Sequence, residues 1–204
     1  MKKSAIVLAG GISSRFGQDK GLLALAKKPL IRYVLDATRN LVDERIVVTS
    51  SKTQAAKYGT LLGHNATVLV DAEDIQSPLI GAVTGFREAQ GEHALLLPCD
   101  APFISRDILS LLFELCPGKT AAIPRWPSGY MEPLQAVYST KQTLEAAEKA
   151  LTNGELNMRG MVDRLRGIRF ISTLVLQQLD PELRTFFNVN TPVDLRRAES
   201  MLGK

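Results

Sequence analysis

Residues 7–23 read VLAGGISSRFGQDKGLL, crowding glycine, arginine and lysine into the turn that follows a short apolar run. Gly10, Gly11 and Gly17 permit positive φ and close backbone approach, so successive N–H groups can turn inward as an anion-binding nest. Arg15 can fork onto two phosphate oxygens, and Lys20 adds a mobile point charge. Farther along, residues 97–103 read LPCDAPF and hold a lone carboxylate, Asp100, behind Pro98 and Cys99. Such a group suits Mg²⁺, which takes one or two protein oxygens and completes its octahedron with waters and phosphates. Taken singly, the glycine pair is equally well explained by a tight turn and Asp100 by a helix cap. Taken together, they describe the handling of a nucleoside triphosphate.

Two other phosphate loops are excluded. The dinucleotide fingerprint G-x-G-x-x-G is absent, and no acidic residue closing a second strand stands out as a ribose ligand. A P-loop needs G-K-[ST], whereas this chain has Gly17-Gln18-Asp19-Lys20. Hydride transfer and Walker-type NTP hydrolysis therefore drop out.

The two segments act together only if the fold brings them together. Short apolar runs starting at Ala5, Arg45, Ala66 and His93 alternate with helical patterns starting at Pro29, Lys52, Pro78 and Arg106. Proline opens the first and third helices, and Ser105 caps the fourth. In the first helix Leu30, Val34, Leu35, Thr38 and Leu41 share a face. Further strands are predicted at TAAIP and PLQAVY, then a helix from Ser139 to a stop at Gly154, and a last helix from Thr191-Pro192. The alternation predicts an α/β fold, a three-layer Rossmann-like domain with a mainly parallel sheet. In such a sheet ligands bind at the carboxyl edge where strand order reverses, and the first and fourth strands flank that point. The glycine loop and Asp100 should therefore face each other.

Bulk properties agree with one domain. The chain has 204 residues, 45% hydrophobic and 23% charged, with a formal charge of +4. Its basic residues are scattered and show neither a nucleic-acid arm nor a basic stripe interleaved with aromatics, so no nucleic acid is expected. The apolar stretch at residues 5–9 is too short for a signal peptide, and no run is long enough to span a bilayer. Cys99 and Cys116 form neither a metal motif nor a disulfide framework, which predicts a cytoplasmic protein with reduced thiols and no membrane partner.

With these residues assembled, the sequence resembles the molybdenum cofactor guanylyltransferases, within the wider class of sugar-nucleotide and cytidylyl transferases. LAGGISSRFGQDK fits the family pattern L-A-G-G-x-S-x-R-M-G-x-D-K, and SPLIGAVTG fits G-P-L-x-G-x-x-x-G. LPCDAPF, EPLQAVY and FFNVNTPVDL complete a match along nearly the whole chain. The resemblance implies a nucleotide-diphospho-sugar transferase type of fold, with a nucleotide-binding half over about residues 1–105 and an acceptor-binding half over about 106–204. It implies a Mg²⁺-dependent enzyme that joins GTP to molybdopterin. Leu8, Ala9, Gly10 and Gly11 would lie along the nucleotide, Lys20 on its triphosphate, and Thr49, Asp71 and Gly81 beside it. Asp100 would hold the metal and touch GTP, with Arg15, Lys20 and Asp100 carrying catalysis. Arg159, Asn188 and Asn190 would meet the acceptor. Three residues depart from the pattern. Phe16 stands for methionine, Ser77 for the glycine of G-P-L, and Thr49 for an asparagine near the base.

The reaction implied is attack by a molybdopterin phosphate on the α-phosphorus of GTP. A phosphate nucleophile is already ionised, so no protein base is required, and His64 and His93 lie outside the candidate loops. The guanine edge needs an acceptor, which Asp71, a first-loop carbonyl or a carbonyl near Gly81 would supply. Trp126 and Tyr130 either stack on a pterin or anchor a lid; Glu132 and Gln135 either line the cleft or pair along a strand. Other readings are a nucleotidyltransferase acting on a sugar phosphate or cobinamide, and a GTP-binding regulator without turnover. A molybdopterin-transferring protein or an acceptor apoenzyme is a further candidate partner, with no residue assigned to it.

Overall fold

In a computed structural model the chain is described over residues 2–10, 12–13, 16–71 and 77–203. Strands β1 (Lys3–Leu8), β2 (Glu44–Thr49), β3 (Thr67–Val70) and β4 (His93–Pro98) alternate with helices α1 (Leu30–Thr38), α2 (Lys52–Leu62) and α3 (Pro78–Glu88). Then follow α4 (Arg106–Leu115), β5 (Ala121–Arg125), β6 (Ala136–Ser139), α5 (Thr140–Thr152) and α6 (Met158–Arg164). The chain closes with β7 (Arg169–Ser172), α7 (Thr173–Leu176) and α8 (Pro192–Leu202).

One seven-stranded sheet runs in the order β7-β5-β6-β4-β1-β2-β3. β6 is antiparallel to both its neighbours, and the other pairs are parallel. β1 pairs with β4 on one side and β2 on the other, which is the expected switch point.

Alternation along the strands divides the core into two layers. Val7, Val47, Leu95 and Val137 pack under α1, α2 and α4. Ile6, Ile46, Val48, Leu96 and Tyr138 pack under α3, α5 and α6. Central strands covered on both faces read as continuous apolar runs, which is why β1 and β4 are plain in the sequence. A smaller cluster, including Leu23, Leu25, Leu30, Val189 and Ala198, joins the segment after the glycine loop to α8.

Some boundaries differ from expectation. α1 ends at Thr38, so Leu41 lies beyond the helix although it still packs on the core. β6 begins at Ala136, because residues 132–135 form a turn in which Gln135 N–H donates to the Glu132 carbonyl at 3.2 Å. Ser139 stands at the N-cap of α5 but makes no side-chain cap bond. β7 has no counterpart among the expected strands: RFIS is an edge strand with only Ile171 buried, so it lacks the apolar run of a central strand. Among the described residues, no helix is long and apolar enough to cross a membrane.

Candidate functional site

The carboxyl ends of β1, β2 and β4 open into a cleft of about 480 Å³. Leu8 and Gly10 enter it from β1, Val48 and Ser50 from β2, and Pro98, Cys99 and Asp100 from β4. The far wall is the start of α3, where Ser77, Pro78 and Gly81 face Asp71 just past β3. Ser77 caps that helix, its hydroxyl accepting from Ile80 N–H at 3.2 Å. Gly81 lets the helix approach closely: a Cβ there would meet Leu8 at 3.3 Å and the Asp71 carboxylate at 3.7 Å.

The C-terminal segment closes the cleft. Val189 N–H donates to the Asp100 carbonyl at 2.8 Å, and this bond seats Asn188 and Asn190 beside the end of β4. The Lys20 ammonium stands 3.2 Å from the Asp100 carboxylate and donates to Asn190 Oδ1 at 2.5 Å. Residues from the glycine loop, the fourth strand and the C-terminus thus meet at one ammonium group. The Asn188 side-chain oxygen is buried without a hydrogen-bond partner, and the residue lines the cleft.

Asp100 is only 8% exposed. Burial holds its carboxyl above the ordinary carboxylate range, and Lys20 partly offsets that shift. Burial likewise pushes the Cys99 thiol well up, with Asp100 and Asp19 adding to it, so this sulfur is a packing group rather than a nucleophile. Among the described residues no cluster of three His, Cys, Asp or Glu side chains forms a protein cage for a metal. A single carboxylate beside space for phosphates is the donor set that Mg²⁺ prefers.

Leu8, Gly10, Lys20, Asp71, Gly81, Asp100, Asn188 and Asn190 all reach the cleft. Gly11 and Arg15 lie outside the described residues. Gly17 adopts φ +63°, whereas Gly10 keeps ordinary φ and serves by closeness: a Cβ there would stand 3.5 Å from that of Ser50. Ala9 is buried behind the cleft, its N–H bonded to the Val48 carbonyl. Thr49 turns its hydroxyl away, donating to the Leu69 carbonyl at 2.9 Å. The Arg159 side chain is 79% exposed on α6, 3.6 Å from Asp163, and does not line the cleft.

The aromatic segment is engaged elsewhere. Trp126 Nε1 donates to Glu132 at 2.6 Å and its ring meets Phe186 edge-on, while Gln135 donates to the Thr185 carbonyl. Val48, Ser50, Ser77 and Leu134 are cleft residues to which the sequence motifs assign no site role.

A family profile described as "MobA-like NTP transferase domain" matches residues 5–168. A relative from Methanosarcina mazei named "Probable molybdenum cofactor guanylyltransferase" is 36% identical, covering 98% of this chain and 90% of its own. The crystal structure of "Molybdopterin-guanine dinucleotide biosynthesis protein A" from Archaeoglobus fulgidus superposes with a TM-score of 0.83 at 28% identity, covering 98% of each chain. A 4-diphosphocytidyl-2C-methyl-D-erythritol synthase from Anaerococcus prevotii shares the fold, with TM-score 0.73, 15% identity, and coverage of 100% of this chain and 99% of its own. The fold is that of the nucleotide-diphospho-sugar transferases, and this chain is a nucleotidyltransferase that belongs to the MobA-like NTP transferase family, among relatives named molybdenum cofactor guanylyltransferase.

Proposed function

We propose that the protein transfers GMP from GTP to the terminal phosphate of molybdopterin. A phosphate oxygen of the acceptor forms the new bond to the α-phosphorus, the bond to the β-phosphate oxygen breaks, and pyrophosphate leaves. The observation that carries this reading is the meeting of Lys20, Asp100 and Asn190 at one point of the cleft. The family membership supplies the substrate class.

The task is to hold two anions against their repulsion. Lys20 would exchange its contacts with Asp100 and Asn190 for phosphate oxygens. Asp100 would hold Mg²⁺, which when bound supplies positive charge to the phosphates at the reacting centre. Asp71 offers an acceptor for the N1–H and N2–H₂ edge of guanine from its place in the cleft lining beside Gly81. Asn188 and Asn190 line the same cleft, where their side-chain amide N–H groups would donate to the oxygens of an acceptor phosphate. Arg15 belongs to the same proposal through its place in the first motif.

Incubation with α-labelled GTP, Mg²⁺ and molybdopterin tests it. The expected products are the guanine dinucleotide and pyrophosphate, with calorimetric preference for GTP over CTP. Equal affinity for both nucleotides, or label appearing on a sugar phosphate or cobinamide and not on molybdopterin, overturns it.

A further inference from the structure

We propose that Asp19, the residue before Lys20, is a positioning residue that holds Lys20 over Asp100 through a buried hydrogen-bonded chain reaching back to Ser50. An acidic residue next to a lysine in a loop reads as a solvated pair. Here the two side chains part company. Lys20 turns out to the cleft, whereas Asp19 turns in and is 8% exposed.

Asp19 meets neutral donors on both carboxylate oxygens. Tyr58 OH donates to Oδ1 at 2.6 Å, and Gly21 N–H donates to the same atom at 3.0 Å. Gln54 Nε2 donates to Oδ2 at 2.7 Å. The Gly21 bond makes Asp19 the N-cap of the short turn that begins at Lys20. Tyr58 is fully buried, and burial first of all raises its pKa, keeping the hydroxyl a donor. Gly21 lies so close to Tyr58 that a Cβ there would overlap the hydroxyl, so the turn seats directly on α2.

The chain continues beyond Asp19. Gln54 Oε1 accepts from Ser50 N–H at 3.1 Å and from the Ser50 hydroxyl at 2.6 Å. That fixes the amide orientation, since oxygen must face the serine amide and NH₂ must face the carboxylate. One side of the cleft, at Ser50, is thereby tied to Lys20 through Gln54 and Asp19. A buried carboxylate with donors on both oxygens admits few alternative arrangements, and that restriction sets where the ammonium stands.

The inference rests on the reading that Lys20 binds triphosphate, and a charge-conserving swap tests it. Asp19→Asn sets an amide against donors, and Gln54→Glu sets two carboxylates together. Combining Asp19→Asn with Gln54→Glu restores the pairing: the amide introduced at position 19 donates to the carboxylate introduced at position 54, which still accepts from Ser50. By calorimetry with Mg²⁺, Asp19→Asn should weaken GTP binding by about tenfold or more. The swap should recover wild-type affinity to within about twofold, and Asp19→Asn should add no loss in a Lys20→Ala background.

Reductive ¹³C-methylation reads Lys20 without nucleotide. The resonance deleted by Lys20→Ala should move toward those of exposed lysines in Asp19→Asn and return in the swap. Tyr58→Phe, which keeps the ring and removes one donor, should give the same signs at smaller size if Asp19→Asn does not fold. An unmoved Lys20 resonance, or an equal loss with and without Lys20, overturns the proposal. Failure of the wild type to bind GTP overturns the functional reading alone, because the resonance still tests Asp19.

Discussion

Asp100 answers to two opposed demands. Its burial favours the neutral acid, while Lys20, and the proposed Mg²⁺ when bound, favour the carboxylate. A carboxyl held above its unfolded value contributes stability below the unfolded pKa and loses it as pH rises through the folded one. Asp100→Asn should therefore melt at or above the wild-type temperature at pH 7, with the difference closing as pH falls into the ordinary carboxylate range. Scanning calorimetry from pH 3 to 8 checks this. Turnover should move the other way, falling by about 10²–10³. A variant that is both less stable at neutral pH and fully active would refute the argument. At this scale a residue's place in the cleft is readable where motif and topology agree, as for Lys20, Asp100, Asn188 and Asn190. It is not readable where strand alternation decides: Val48 and Ser50 reach the cleft, so Thr49 between them turns away. The motif's D-K marks Asp19 but not which way it turns, because partners supplied by α2 determine the direction of an acidic side chain.

Helix α3 is the element that sets the width of the cleft. A Cβ at Gly85 would overlap Ile6 Cγ2, so this turn rests directly on β1 one turn after Gly81 reaches the cleft. Gly85→Ala should cost about 1–3 kcal/mol in urea unfolding, as overpacking does. It should also weaken GTP binding, because the helix start carries Ser77, Pro78 and Gly81. Destabilisation with unchanged affinity would show that the shift is absorbed before the cleft. Ser77 is a milder case: its cap bond to Ile80 predicts a loss of about 1 kcal/mol for Ser77→Ala and only a few tenths for Ser77→Gly. The family pattern's glycine is thus a near-neutral alternative to this serine, with calorimetric melting as the check. Helices α2, α3 and α4 fall where periodicity, proline and Ser105 place them. β7 escapes because half-buried edge strands carry too few apolar residues, and the short pairing of residues 12–13 with 18–19 because loop hairpins have no period to read.

At the scale of the whole molecule, residues 1–105 and 106–204 contribute strands to one sheet. β6, from the second half, pairs with β4 through residues 136–139 and 93–96, and Val189 closes back onto the Asp100 carbonyl. The third core cluster repeats the tie, joining Leu23, Leu25 and Leu30 to Val189 and Ala198. Neither half can expose its share of these contacts without stripping the other, so the two should unfold in one step. The single tryptophan, Trp126, reports the second half through its contact with Phe186. Amide exchange at Ile6 and Val7, buried in β1, reports the first. In urea, tryptophan fluorescence, far-UV circular dichroism and pulse-labelled exchange at β1 should share one midpoint. GTP should move all three together, because its proposed contacts run from Leu8 to Asn190. A fluorescence midpoint that precedes loss of β1 protection would mean that the C-terminal half opens independently. The cleft would then be assembled by docking of two units rather than built into a single fold.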